Sequence, residues 1–226
     1  MPESLSLEFS NDGFATIRMI NGENRFQITT IDEWNKTLDK VIENQDTKAV
    51  LITGEGKVFS NGVDLQWVAL QKGDVPSVYV RRLQGLISRI LIFPVPTVAI
   101  LNGHAFGAGA FLALACDFRV MRPDKGWLNW PETALNLRIG EVLLKLARAK
   151  IPAGIAQREA LLFAKRMTGD YAKRLGLVDE VVEETKMMDT ARKLVNDALG
   201  RNGLGRKIVA DMKKDIYGIE LDLSKL

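Results

Sequence analysis

Apolar positions along this chain recur with two spacings, and the changes between them mark out its elements. Leu5 to Ser10 (LSLEFS) and Phe14 to Ile20 (FATIRMI) alternate apolar and polar residues around Asn11-Asp12-Gly13, the signature of a hairpin. From Thr30 to Gln45 the spacing becomes that of an amphipathic helix. Ile31, Trp34, Leu38, Val41 and Ile42 share a face, and Thr30 with Glu33 has capping-box spacing. Lys48 to Thr53 (KAVLIT) predicts a strand, with Gly54 to Lys57 as its exit turn. Val58 to Leu65 (VFSNGVDL) follows, where Gly62 permits a tight turn and Asp64 is placed to cap the next short helix. Val78 to Phe93 predicts a further helix with Leu83, Leu86, Ile87, Ile90 and Leu91 apolar, stopped by Pro94 and Pro96.

The stretch from Pro94 to Glu132 organises the rest. Thr97 to Leu101 (TVAIL) is a continuous apolar run, as a buried strand requires, and Asn102-Gly103 ends it. Gly107-Ala108-Gly109 leaves its backbone N–H groups uncovered. Ala108 to Cys116 has the apolar character of a buried helix, so those N–H groups fall at a helix N-terminus, where an anionic oxygen can be held. Asp117 to Met121 returns as a strand, and Glu132 follows in the apolar setting Trp127-Leu128-Asn129-Trp130-Pro131. Beyond it, Ala134 to Gly140 reads as a loop. Glu141 to Lys150, Ala153 to Lys165, Asp170 to Leu175, Lys186 to Leu199 and Arg206 to Tyr217 read as helices, with Leu177 to Val182 a short strand or edge. Strands alternating with helices and then mainly helices predict an α/β core, residues 1–182, with a helical C-terminal region, residues 183–226.

Composition narrows the functional classes. The 226 residues carry a net charge of +3 with 26% charged residues, and Lys and Arg are dispersed, so no basic stripe points to nucleic acid. No apolar run reaches membrane-spanning length, and MPESLSLEF lacks the pattern of a signal peptide. A single Cys116 and a single His104 are too few for a Cys/His zinc site, and no metal is expected. Ser224-Lys225-Leu226 has the form of a peroxisomal import address.

The candidate chemistry is sparse. A Ser-His-Asp triad could use only His104, and no G-x-S-x-G elbow presents a serine, so His104 reads as a loop-stabilising residue. Gly103, Gly107 and Gly109 do not form a dinucleotide fingerprint, and Gly54 to Lys57 does not form a phosphate-binding loop. Glu132 is the candidate acid/base, because Leu128, Trp130 and Pro131 would desolvate its carboxylate and raise its pKa. Taken alone, a glutamate here is as readily a solvated loop residue. Likewise the loop at Val63 is either a plain strand-to-helix connection capped by Asp64 or a second loop offering an N–H donor. The order of the parts, two small-residue loops and then one carboxylate, favours a site.

VFSNGVDL, PTVAILNGHAFGAGAFLALACDFRVM and WPETALNL resemble successive core motifs of the crotonase (enoyl-CoA hydratase/isomerase) superfamily, over about Leu5 to Val182. The resemblance implies a spiral of ββα units, a helical C-terminal region, and a homotrimer or hexamer. It implies an acyl-CoA substrate whose thioester oxygen lies between the N–H groups of Val63 and Ala108. No cofactor is expected, coenzyme A being the substrate's carrier. Hydratases of the superfamily carry two glutamates; the first falls here at Phe111, which cannot move a proton, and the second at Glu132. One glutamate resembles the monofunctional enoyl-CoA isomerases, and ILNGHAFGAGAFLALACDFRVMRPDKG, LARAKI and the SKL ending are similar to the plant-type peroxisomal ones. The expected activity is therefore conversion of 3-enoyl-CoA to trans-2-enoyl-CoA in peroxisomal β-oxidation. The expected pocket comprises Asn61, Gly62, Leu65, Gly107, Phe111 and Trp130, with Phe111 and Trp130 excluding water. Arg25, Lys57 and basic residues of the C-terminal helices are open candidates for the coenzyme A phosphates. Another thioester reaction would need a second polar group, for which Glu141 is nearest in sequence. A silent acyl-CoA binder would not need Glu132.

Overall fold

The computed structural model describes residues 3–218, so Ser224-Lys225-Leu226 lies outside the described residues. The chain advances by repeating one unit. Strands β1 (Leu5–Phe9) and β2 (Phe14–Met19) form the expected antiparallel hairpin and lead into α1 (Ile28–Glu43). Next come β3 (Ala49–Gly54), β4 (Val58–Ser60), α2 (Leu65–Leu70) and α3 (Val75–Leu91). Then follow β5 (Thr97–Leu101), β6 (His104–Phe106) and α4 (Ala108–Ala115), and after them β7 (Phe118–Met121), β8 (Leu128–Asn129) and α5 (Glu141–Lys150). β1 and β2 both join the larger sheet; in the three later units the first strand joins that sheet and the second joins another. The larger sheet has the order β1-β2-β3-β5-β7-β9, where β9 is Glu180–Val181, and the smaller has the order β4-β6-β8. All pairs except β1–β2 are parallel. This is the crotonase-like succession of ββα units.

Parallel strands need cover on both faces, which explains the unbroken apolar runs of β3 and β5. Successive side chains alternate between faces. Ala15, Ile17, Val50, Ile52, Ala99 and Leu101 face the main core, which includes Ile31, Trp34 and Leu38 of α1, Leu86 and Ile87 of α3, and all of α4's apolar side chains. Phe14, Leu51, Val98, Ile100 and Val120 face the other way and are covered by Met187, Ala191 and Val195 of the C-terminal helix at Met187–Leu199. The helical C-terminal region thus completes the sheet it follows.

Several boundaries differ from the sequence-based expectation. α1 starts at Ile28, before Thr30. Thr30 Oγ1 accepts the Gln27 N–H at 2.6 Å, while Glu33 reaches across to accept the N–H groups of Ser4 and Leu5, both at 2.9 Å. Glu33 therefore ties β1 to α1 and is not part of a capping box. Ile42 is exposed and lies off the buried face. The glycine-rich turn after β5 contains β6, because its backbone pairs with β4 and β8. The expected helix over 153–165 is a short turn at Ile155–Gln157 passing into a π-helix, Arg158–Leu162, closed by the Phe163 N–H on Arg158 O at 3.1 Å.

The last described helix, Arg206–Tyr217, is anchored by a buried pair. Lys213 Nζ donates to Asp117 Oδ2 at 2.6 Å and to Phe93 O at 3.0 Å, and Asp117 also accepts the Thr97 N–H at 2.8 Å. Breaking such a pair leaves a charge without its partner. Lys213→Met should cost about 3 kcal/mol and lower the thermal midpoint by about 6–12 °C in a calorimetric scan; an unchanged midpoint would refute this.

Candidate active site

The site is assembled from two loops and one turn. The first loop joins β4 to α2. Gly62 O accepts the Phe26 N–H at 2.8 Å and Phe26 O accepts the Asp64 N–H, so the loop is clipped to Phe26 on either side of Val63. By strand alternation the Val63 N–H faces the opposite way. Among the described residues it has no acceptor. Ser60 Oγ fixes the bend, donating to Asn24 O at 2.7 Å and accepting the Gly62 N–H at 3.1 Å. Asp64 caps α2 as expected, accepting the Trp67 N–H at 3.0 Å and a Gln27 Nε2 donor at 2.8 Å. These two bonds hold its carboxyl below the usual range.

The second loop joins β6 to α4, and it touches the first. A Cβ on Gly62 would stand 2.5 Å from Phe106 O and 3.0 Å from the Ala108 nitrogen, and one on Gly109 would stand 2.5 Å from Ser60 O. Only glycine permits that approach, and Gly62 has φ +74° besides. Ala108 opens α4, where an N–H has no intrahelical acceptor. The donors of Val63 and Ala108 therefore border one space.

Glu132 reaches that space from beyond β8. Its carbonyl accepts the N–H groups of Leu135 at 3.1 Å and Leu137 at 2.8 Å, which fixes the turn at Thr133–Leu135. Its Oε1 would lie 3.5 Å from a Cβ on Gly107. Its Oε2 is buried and has no hydrogen-bond partner among the described residues. Burial pushes the carboxyl above its ordinary pKa, opposed only by its own backbone N–H. A carboxylate held this way can serve as a base.

A cavity of about 360 Å³ contains Val63, Ala108 and Glu132 in its wall, together with Asn61, Leu65 and Gly107 from the expected set. Gly62 is buried beneath the wall and does not line it. Phe111 and Trp130 are corrections. Both are fully buried, with ring centroids 6.2 Å apart, and stand behind the wall. Asn129 and Pro131 line the cavity, so the alternating backbone turns Trp130 into the core. Pro131, Leu135 and Leu137, from the turn around Glu132, are among the apolar groups that line the cavity.

Glu132 is the only carboxyl lining the cavity among the described residues. Glu141 is exposed, pairs with Lys145 at 3.1 Å, and lies outside it. His104 is stacked between Phe106 and Trp127, with centroids 5.2 and 5.0 Å away, and is also outside. Among the described residues no group of His, Cys, Asp and Glu could hold a metal, and no helix is long and apolar enough to cross a membrane. Three larger grooves, of about 630, 710 and 490 Å³, lie along β1–α1, along α1–α3 and between α5 and the π-helix; none contains an unpartnered buried carboxylate among the described residues.

Two cations line the cavity. Arg25 donates to Glu23 Oε2 at 2.6 Å and to Val63 O at 3.2 Å. Lys57 does not line it. Arg166, which no local pattern singles out, stacks on Trp127 at 5.0 Å. It arrives because Leu128 and Met167 exchange backbone hydrogen bonds at 3.0 Å, a pairing between distant segments. Asn129 was missed for the same reason; its Nδ2 donates to Ala164 O at 2.7 Å.

The family model for enoyl-CoA hydratase/isomerase matches residues 10–216. Enoyl-CoA delta isomerase 3 of Arabidopsis thaliana is 33% identical over 218 residues, covering 94% of this chain and 91% of the relative. Enoyl-CoA delta isomerase 2, peroxisomal, of the same plant is 32% identical, with the same coverage of 94% and 91%. In fold, the chain is similar to the crystal structure of an enoyl-CoA hydratase from Mycobacterium ulcerans, with a TM-score of 0.83 at 24% identity over 96% of this chain and 92% of that one.

Proposed function

This chain belongs to the enoyl-CoA hydratase/isomerase (crotonase) family, and from that premise we propose that it shifts the double bond of a 3-enoyl-CoA to give trans-2-enoyl-CoA. The observation that carries this reading is the single carboxyl lining the cavity among the described residues, Glu132, buried beside two loops that offer N–H groups. The thioester oxygen accepts from the Val63 and Ala108 N–H groups. Glu132 takes a proton from C2, and the electron pair delocalises onto the thioester oxygen as a dienolate. Negative charge grows on that oxygen, where fixed donors at a helix N-terminus stabilise it most. The same carboxyl then returns the proton to C4, so the net change is one double-bond shift. Hydration would need a second group to direct water to C3, and the position where hydratases carry it is Phe111, facing the core.

We extend the proposal to β-oxidation of unsaturated acyl chains in peroxisomes, with Ser224-Lys225-Leu226 read by the import receptor and subunits assembled as a trimer or hexamer. The peroxisomal relative supports the address. Exposed Ile155, Leu162 and Phe163 supply apolar surface for such an assembly. The test is a coupled assay with cis-3-hexenoyl-CoA and longer homologues, following trans-2-enoyl-CoA, with a parallel assay for 3-hydroxyacyl-CoA. Isomer without hydroxyacyl product is expected. Tight acyl-CoA binding with no isomer at any chain length would overturn the proposal.

A further inference from the structure

We propose that Lys150 is a positioning residue for the oxyanion: its ammonium group sits on the C-terminal end of α4 and adds its charge to the helix whose N-terminus faces the thioester oxygen. This rests on the isomerase reading above. α4 runs over eight residues, all buried, with no charged side chain of its own and no side-chain cap at its N-terminus. The carbonyls of its last residue, Ala115, and of its C-cap, Cys116, are met from outside. Lys150 Nζ donates to Cys116 O at 2.6 Å and to Ala115 O at 3.3 Å, and Arg119 Nη1 donates to Cys116 O at 2.8 Å. Cations there reinforce the helix dipole and so favour an anion at the other end.

The neighbouring charges are otherwise matched. Lys213 pairs with Asp117 at 2.6 Å and Arg119 with Asp179 at 3.5 Å. Among the described residues Lys150 is in no ion pair; its other neighbour is the face of Tyr217, 5.3 Å from Nζ. Its charge is therefore not cancelled locally.

That charge also switches within the range of an assay. Burial, with Arg119 and Lys213 adding to it, brings the Lys150 pKa down to about 8, while Asp117 and the Cys116 thiol oppose the shift. Burial pushes the Cys116 thiol up to about 12 and the Tyr217 phenol upward, so neither ionises alongside it.

The sign separates this role from simple bracing. The unfolded lysine keeps its proton to about pH 10.4. Between the two values the unfolded chain holds more protons, so deprotonation of Lys150 makes stability rise with pH. Stabilisation of the oxyanion falls over the same interval. α4 spans about 12 Å. A hydrogen bond of about 2.9 Å at each end brings the charge separation to about 18 Å, where one unit charge changes a rate by about two- to fivefold for effective permittivities of about 40 to 20.

The experiment follows kcat, KM and thermal midpoint between about pH 7 and about pH 9.5 for the natural protein, Lys150→Arg and Lys150→Met. The natural protein should lose kcat about two- to fivefold across pH 8, with KM steady and the midpoint level or rising. Lys150→Arg, always charged, should lose that alkaline limb. Lys150→Met should show the lower kcat throughout. A limb shared by the natural protein and Lys150→Arg, no limb in either, or a midpoint that falls in step with kcat would overturn the inference. If Lys150→Met does not fold, the comparison with Lys150→Arg still decides. Absence of isomerisation by the natural protein would overturn the underlying reading instead.

Discussion

Glu132→Gln is expected to lower turnover of a 3-enoyl-CoA by about 10³–10⁴-fold while acyl-CoA affinity changes by no more than a few-fold. The amide keeps the shape of the carboxyl but cannot take the C2 proton, and no other carboxyl lines the cavity among the described residues. The same burial sets two pH effects. The base form requires a pH above the raised pKa, so natural turnover should fall as pH drops through a value above the ordinary carboxylate range. Stability has the opposite sense. A carboxyl whose folded pKa is raised contributes stability below its unfolded pKa and loses it as pH rises through the folded one. At neutral pH the ionised Glu132 therefore weakens the fold. Glu132→Gln should melt higher than the natural protein there, and the difference should shrink in mild acid. Steady-state kinetics and scanning calorimetry on the two proteins read both effects. A variant keeping more than about a tenth of natural turnover would show that Glu132 is not the base.

Ala108→Pro is expected to lower kcat by about 10²–10³-fold, equivalent to about 3–4 kcal/mol of barrier. Proline removes the N–H that faces the cavity. It does so at the first position of α4, where proline's fixed φ suits a helix and its missing donor breaks no helical bond. The thermal midpoint should therefore move by only a few degrees, about what 1 kcal/mol produces. Ala108→Gly is the control: it keeps the donor and should stay within a few-fold of the natural rate. Equal rates for the proline and glycine variants would remove the Ala108 N–H from the mechanism.

Local chemistry made much of this readable. The unbroken apolar runs of β3 and β5, the helical spacing in α1 and the capping role of Asp64 each depend on neighbours within a few residues. The small residues at Gly107 to Gly109 pointed to uncovered N–H groups for the same reason. What failed depended on partners far away in the chain. Glu33 had the spacing of a cap, yet the first strand lies within reach and offers two unpaired N–H groups. Trp130 has the sequence position of a group that dries Glu132, yet backbone alternation turns it inward, and its neighbour Pro131 lines the cavity instead.

Most of the elements, the family's motifs and Glu132 as the candidate acid/base are legible in the sequence. The tertiary structure decided what stands beside what: Gly62 against Phe106, Arg166 beside Trp127, Lys150 at the closed end of α4. The physical reason is range. Propensity, capping and apolar spacing act over a few residues, so they are written locally. A desolvated carboxylate, a pair of converging N–H groups and a buried ammonium acquire their properties only from the water that packing removes and the dipoles that it brings near.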